Sequence, residues 1–126
     1  MSFRTPLGRA RGLGSSRHGT SHWLAQRVTA IALIPLSLWF VISLLIHVRA
    51  DYVTALIWLH SPVVSVLSML LLATVFYHAY LGLQMVIEDY VHDEWLKLSA
   101  LVLIKFICIL LAAAGIFAVL RIAFGG

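Results

Sequence analysis

Three long apolar runs divide this chain. Residues 28–47 read VTAIALIPLSLWFVISLLIH, residues 63–87 read VVSVLSMLLLATVFYHAYLGLQMVI, and residues 98–122 read LSALVLIKFICILLAAAGIFAVLRI. At about 1.5 Å per residue each run is long enough to cross the roughly 30 Å hydrocarbon layer of a bilayer as one helix. The first is too long for the apolar core of a secretory signal peptide, and no clear small-residue cleavage site follows it. Pro35 falls early in the first run and predicts a kink there. Pro62 precedes the second, where proline suits a helix start. Lys105 lies two turns into the third run, within reach of the near surface by snorkelling. The small residues Ala112, Ala113, Ala114 and Gly115 would let another helix approach closely. Short connections, 48–62 and 88–97, join the runs, and no internal repeat or low-complexity segment is present. The pattern predicts an all-α membrane protein of three transmembrane helices. Residues 1–27 form a basic N-terminal tail and interfacial segment, and residues 28–126 form the transmembrane domain.

Composition agrees with this division. Of 126 residues, 62% are hydrophobic and only 11% are charged, against about half and about a quarter in soluble domains. So few charges cannot cover a soluble surface, so a soluble enzyme or a separate soluble domain is excluded. Cys108 is the one cysteine. It allows no internal disulfide and no cysteine-based metal site, and reads as a small apolar side chain packed between helices.

The net charge of +4 is unevenly spread: Arg4, Arg9, Arg11, Arg17 and Arg27 all lie in residues 1–27, with no acid among them. A basic tail beside a membrane span is a topology signal rather than a nucleic-acid site, and no nucleic-acid partner is expected. It also lacks the regular apolar face of a mitochondrial presequence. With Lys97, the tail outweighs Arg49 and Arg121 on the other side. The rule that positive loops stay inside then predicts a cytoplasmic N-terminus. The connection 88–97 faces the same way, which places Arg27 and the Asp89-Tyr90 pair at one membrane surface.

His78 is the residue in need of an explanation. It lies ten residues before Glu88, about 15 Å from the inner surface at helical rise, where a polar side chain is costly unless satisfied. Gly82, one turn further along, leaves room on the same face for something flat, such as a porphyrin, or for a closely packed helix. Two readings stay open on spacing alone: a histidine bonded between helices, or a haem ligand. Of the other histidines, His47 is at the outer end of a span, roughly 23 Å away. His18, His22, His60 and His92 lie outside the spans. A six-coordinate haem would therefore take its second axial ligand from another polypeptide.

The run His78-Ala79-x2-Gly82 followed by Asp89-Tyr90, and the stretch 22-HWLAQRVTAIAL-33, resemble the membrane-anchor subunits of succinate dehydrogenase, respiratory complex II. The motifs cover about thirty residues, and the remainder agrees in architecture. The resemblance implies one half of a two-subunit helix bundle that holds a shared haem b with a cytochrome b subunit. It also implies docking of an iron–sulfur subunit and an FAD-bearing flavoprotein subunit on the inner side. In such a complex electrons from succinate, a tricarboxylic acid cycle intermediate, pass through iron–sulfur clusters to ubiquinone. His78 matches the axial iron ligand, and Tyr90 and Asp89 match the quinone site. Arg27 matches an arginine near the haem propionates, and His22 and Gly82 fall in the haem pocket. His92 is a candidate for the docking surface. The Ser-x2-His-Arg-x-Thr-Gly signature of the larger cytochrome subunit is missing, since Gln26-Arg27-Val28-Thr29-Ala30 stands at the comparable place. No catalytic activity is expected of this chain alone. The unprocessed-looking basic tail favours a bacterial inner membrane over the mitochondrial one. Two other readings are the anchor of a fumarate reductase and a structural membrane subunit without a cofactor.

Overall fold

The computed structural model describes residues 5–7 and 16–125. Arg4, Arg9, Arg11 and the side chain of Arg17, four of the five tail arginines, lie outside the described residues. Four helices follow: α1 (Ser16–His47), α2 (Tyr52–His60), α3 (Pro62–Tyr90) and α4 (Glu94–Gly125). Three of them, from Gly19, Pro62 and Glu94 onward, are long and apolar enough to cross a membrane.

The helices overrun the apolar runs, α1 at its start and α3 and α4 at both ends. α1 begins at Ser16 rather than 28, so the residues of the interfacial segment from Ser16 onward are continuous with the span. Pro35 lies within that unbroken helix. The connection 88–97 shrinks to Val91, His92 and Asp93. Val91 turns extended (φ −97°, ψ 117°) and its N–H closes α3 by donating to the Ile87 carbonyl at 2.9 Å. The Asp93 carboxylate then accepts from the Trp95 N–H at 3.0 Å, capping one of the orphan donors at the start of α4.

The outer connection is not a plain loop. Asp51 caps a nine-residue helix, α2, by accepting from the Thr54 N–H at 3.0 Å. Hydrogen bonds from Thr54, its side chain first and its backbone second, hold the Asp51 carboxyl below its ordinary range. Ser61 ends α2, and α3 starts at once with Pro62 in its first turn. Ser65, buried at this corner, donates to the Leu59 carbonyl at 3.2 Å. His47, at the end of α1, stacks on Trp58 of α2 with ring centroids 4.6 Å apart.

α3 is the central helix. α1 and α4 both pack along it, and α2 rests on α3 and α4. The α3–α4 seam is close because Gly115 admits Leu72: a Cβ there would lie 3.1 Å from both Leu72 methyl carbons. Cys108 is buried and unpaired. Few residues are buried, namely Val64, Ser65, Leu81 and Cys108, while large apolar side chains stand exposed along all the helices. So much apolar surface fits lipid and partner helices rather than water.

Candidate functional site

The α1–α3 seam carries most of the predicted residues. His78, half-buried on α3, meets Thr29 of α1: Nδ1 lies 2.9 Å from the threonine Oγ1. Thr29 stands at the start of the apolar run of α1, and its hydroxyl sits 2.8 Å from the Ala25 carbonyl and 3.0 Å from that of Gln26. A hydroxyl has a single hydrogen and two lone pairs. The hydrogen goes back to the helix carbonyls, as threonine commonly does in apolar surroundings. Oγ1 is then the acceptor, and His78 donates through Nδ1–H. A neutral imidazole carries one ring proton, so Nε2 is left with its lone pair. The histidine is thus bonded between helices through Nδ1, and with a neutral ring donating there, Nε2 would keep the electron pair a metal needs. The two readings that spacing left open are compatible.

Two adjoining hollows run along this seam. One, of about 350 Å³, is lined by Trp23, Gln26, Arg27, Ala30, His78 and Met85. The next, of about 420 Å³, shares Trp23, Gln26 and Met85 and adds Gly19, His22, Gln84 and Glu88. Gly82 lies between His78 and Met85 on α3, and a Cβ at that position would meet no atom within 4 Å. The space beside the imidazole is therefore left open by this chain. His22 Nε2 is buried and has no hydrogen-bond partner, although buried polar atoms are nearly always paired. Arg27 reaches over the Trp23 ring, 5.5 Å from its centroid, in a cation–π contact.

The structure sets Arg27 deeper than the charge pattern predicts. The Thr29–His78 contact and the Gly19–Glu88 neighbourhood fix the antiparallel register of α1 and α3. Glu88 is thus level with Gly19, and Arg27 lies roughly two helical turns further in. It does not share a level with Asp89, and its contact is with Trp23. A guanidinium at that depth, beside an open hollow, asks for an anion.

Arg27, His22, Gly82 and His78 thus come together along one seam. Asp89 and Tyr90 do not line it. Both are exposed in the last turn of α3, with Tyr90 at 78% exposure. His92, also exposed, follows in the short turn to α4. Sequence reasoning quoted Thr29 without giving it a role. The signal was present, since Thr29 is a hydroxyl residue at the start of an apolar span, but its partner lies 49 residues away in sequence.

Three helices long and apolar enough to cross a membrane, with an imidazole and a guanidinium beside a hollow on the α1–α3 seam, define a multi-pass membrane protein. The chain belongs to the succinate dehydrogenase/fumarate reductase transmembrane subunit family, whose model matches residues 1–112. It is 38% identical to the succinate dehydrogenase hydrophobic membrane anchor subunit of Rickettsia bellii (strain RML369-C), over 93% of this chain and 94% of that one. The anchor subunits of Rickettsia conorii (strain ATCC VR-613 / Malish 7) and Rickettsia typhi (strain ATCC VR-144 / Wilmington) are 31% and 30% identical. They cover 89% and 93% of this chain, and 90% and 94% of their own lengths. No solved structure gave a significant match to the chain.

Proposed function

We propose that this chain is the membrane-anchor subunit of a succinate:ubiquinone oxidoreductase, and that it holds one face of a haem b shared with a cytochrome b subunit. The observation that carries the reading is the His78 imidazole, whose Nδ1 lies 2.9 Å from Thr29 Oγ1, one helical turn from the open space at Gly82. The seam fits the group in three respects. His78 offers an axial nitrogen. Gly82 leaves a flat space against α3. Arg27 and the unpartnered His22 Nε2 are the donors that propionate carboxylates require. Bound there, haem would supply a one-electron carrier within the membrane. A second iron ligand would come from the cytochrome b subunit, since among the described residues lining the hollow beside His78 there is no second histidine.

Quinone reduction needs two electrons and two protons, and the exposed end of α3 supplies the groups for the proton side. The Tyr90 phenol donates a hydrogen bond to a ubiquinone carbonyl oxygen, whose negative charge grows as it is reduced. Asp89, exposed beside it, is placed to pass protons from water. The flavoprotein and iron–sulfur subunits dock on this side, which is cytoplasmic in a bacterial inner membrane, with His92 at the contact surface. The N-terminus lies on the same side. The curated relatives favour succinate oxidation over fumarate reduction, as those described above are named for succinate dehydrogenase.

One set of variants in the assembled complex tests the reading. His78→Ala is expected to abolish the low-spin haem signal in EPR and optical spectra, and an unaltered signal would overturn the assignment. Tyr90→Phe is expected to keep haem and succinate–dye activity while quinone reduction falls roughly 10- to 100-fold, the value of a hydrogen bond to a charged group. Asp89→Asn should follow with a smaller fall. Equal loss of dye and quinone activities would show that Tyr90 acts through assembly.

A further inference from the structure

We infer that Thr29 is a positioning residue for the iron ligand: its hydroxyl fixes the tautomer and ring orientation of His78 and tunes the haem potential. The inference rests on the proposed ligation by His78 and adds a residue on a different helix.

The geometry supports it at each step. Thr29 Oγ1 is close to two carbonyls of its own helix, Ala25 at 2.8 Å and Gln26 at 3.0 Å, so its hydrogen is committed and its lone pair faces α3. His78 Nδ1 lies 2.9 Å away, an ordinary hydrogen-bond distance. The hydroxyl cannot turn to donate to His78 without giving up both carbonyls, so Nδ1 carries the proton. This bond joins α1 to α3. It therefore locks the ring and the helix register together. Histidines that bind metals usually donate their second N–H to such a partner. The partner holds the ring plane and raises the basicity of the ligating nitrogen. A more basic ligand favours the ferric over the ferrous state. Removing the hydroxyl should therefore weaken ferric stabilisation and raise the haem midpoint potential. It should also free the ring to rotate about its axis.

The test compares Thr29→Val, which keeps the branched shape and loses the hydroxyl, with Thr29→Ser, which keeps the hydroxyl. Both are read in the purified complex by haem content, low-spin EPR g values and redox titration of the haem. His78→Ala serves as the reference. Thr29→Val is expected to shift the g values and raise the potential by up to about 59 mV, a tenfold change in relative ferric stabilisation for one electron. Thr29→Ser should restore both. Loss of haem in Thr29→Val with retention in Thr29→Ser would also support the role. Unchanged g values and potential in Thr29→Val overturn it, as does equal haem loss in both variants, which would mean packing and not the hydroxyl matters. If His78→Ala itself leaves the low-spin signal intact, the ligation reading fails first. If His78→Ala abolishes the signal and Thr29→Val changes nothing, only the role of Thr29 fails.

Discussion

Gly82 offers the most direct probe of what lies against α3. A Cβ placed there meets nothing of this chain within 4 Å, so Gly82→Ala is free of internal clashes and Gly82→Leu starts from open space. Both should favour the helix, by about 0.8–1 kcal/mol, since glycine is a poor helix former. Taken alone, the chain should tolerate either change. The proposed ring occupies that same space, one turn from His78. Overpacking a filled site costs about 1–3 kcal/mol, which corresponds to a roughly 5- to 150-fold weaker hold. Gly82→Ala should fall at the low end and Gly82→Leu at the high end. The assay is haem per flavin in the purified complex, measured together with the amounts of this chain and of the cytochrome b subunit. The expected outcome is graded haem loss with both membrane subunits still present. Full haem content in Gly82→Leu would refute the reasoning. Loss of the cytochrome b subunit along with the haem would mean that a partner helix, not a ring, fills the space.

Two structural predictions concern the rest of the chain. Gly115→Val should lower the thermal dissociation temperature of the complex, because a Cβ at 3.1 Å from both Leu72 methyls already needs Leu72 to give way and two further carbons leave no room. Leu72→Ala should partly rescue it, and strictly additive effects would argue against this contact. Gly115→Ala should be nearly neutral, with helix gain set against crowding. At the outer corner, Asp51→Ala should fray the first turn of α2, read as faster amide exchange at Thr54. The Asp51 carboxyl is held below its ordinary value by Thr54, so the cap is in place above the unfolded carboxyl value of about 3.9. It should weaken only as pH falls through the lower folded value. Exchange at Thr54 should therefore be governed by the ordinary amide chemistry between about pH 5 and 8, and an extra opening within that window would count against the cap.

Much of this protein is written in its linear pattern. A helix that crosses lipid must satisfy its own backbone and present apolar side chains around its circumference, so the three spans follow from length and composition alone. The same constraint singles out His78, Gly82 and Arg27, because polar or missing side chains stand out against such a background. The helix ends and α2 were less legible. Tyr52–His60 is too short to read as a span, and its helical state comes from the Asp51 cap and from packing on α3 and α4. Interhelical register belongs to the tertiary structure, because it depends on which side chains meet across a seam. The pairing of Thr29 with His78 moves Arg27 from the expected surface to the depth of the hollow, and it brings a hydroxyl within 2.9 Å of the imidazole Nδ1. Spacing along one helix cannot reveal a hydroxyl on another, and that hydroxyl determines what the histidine can do.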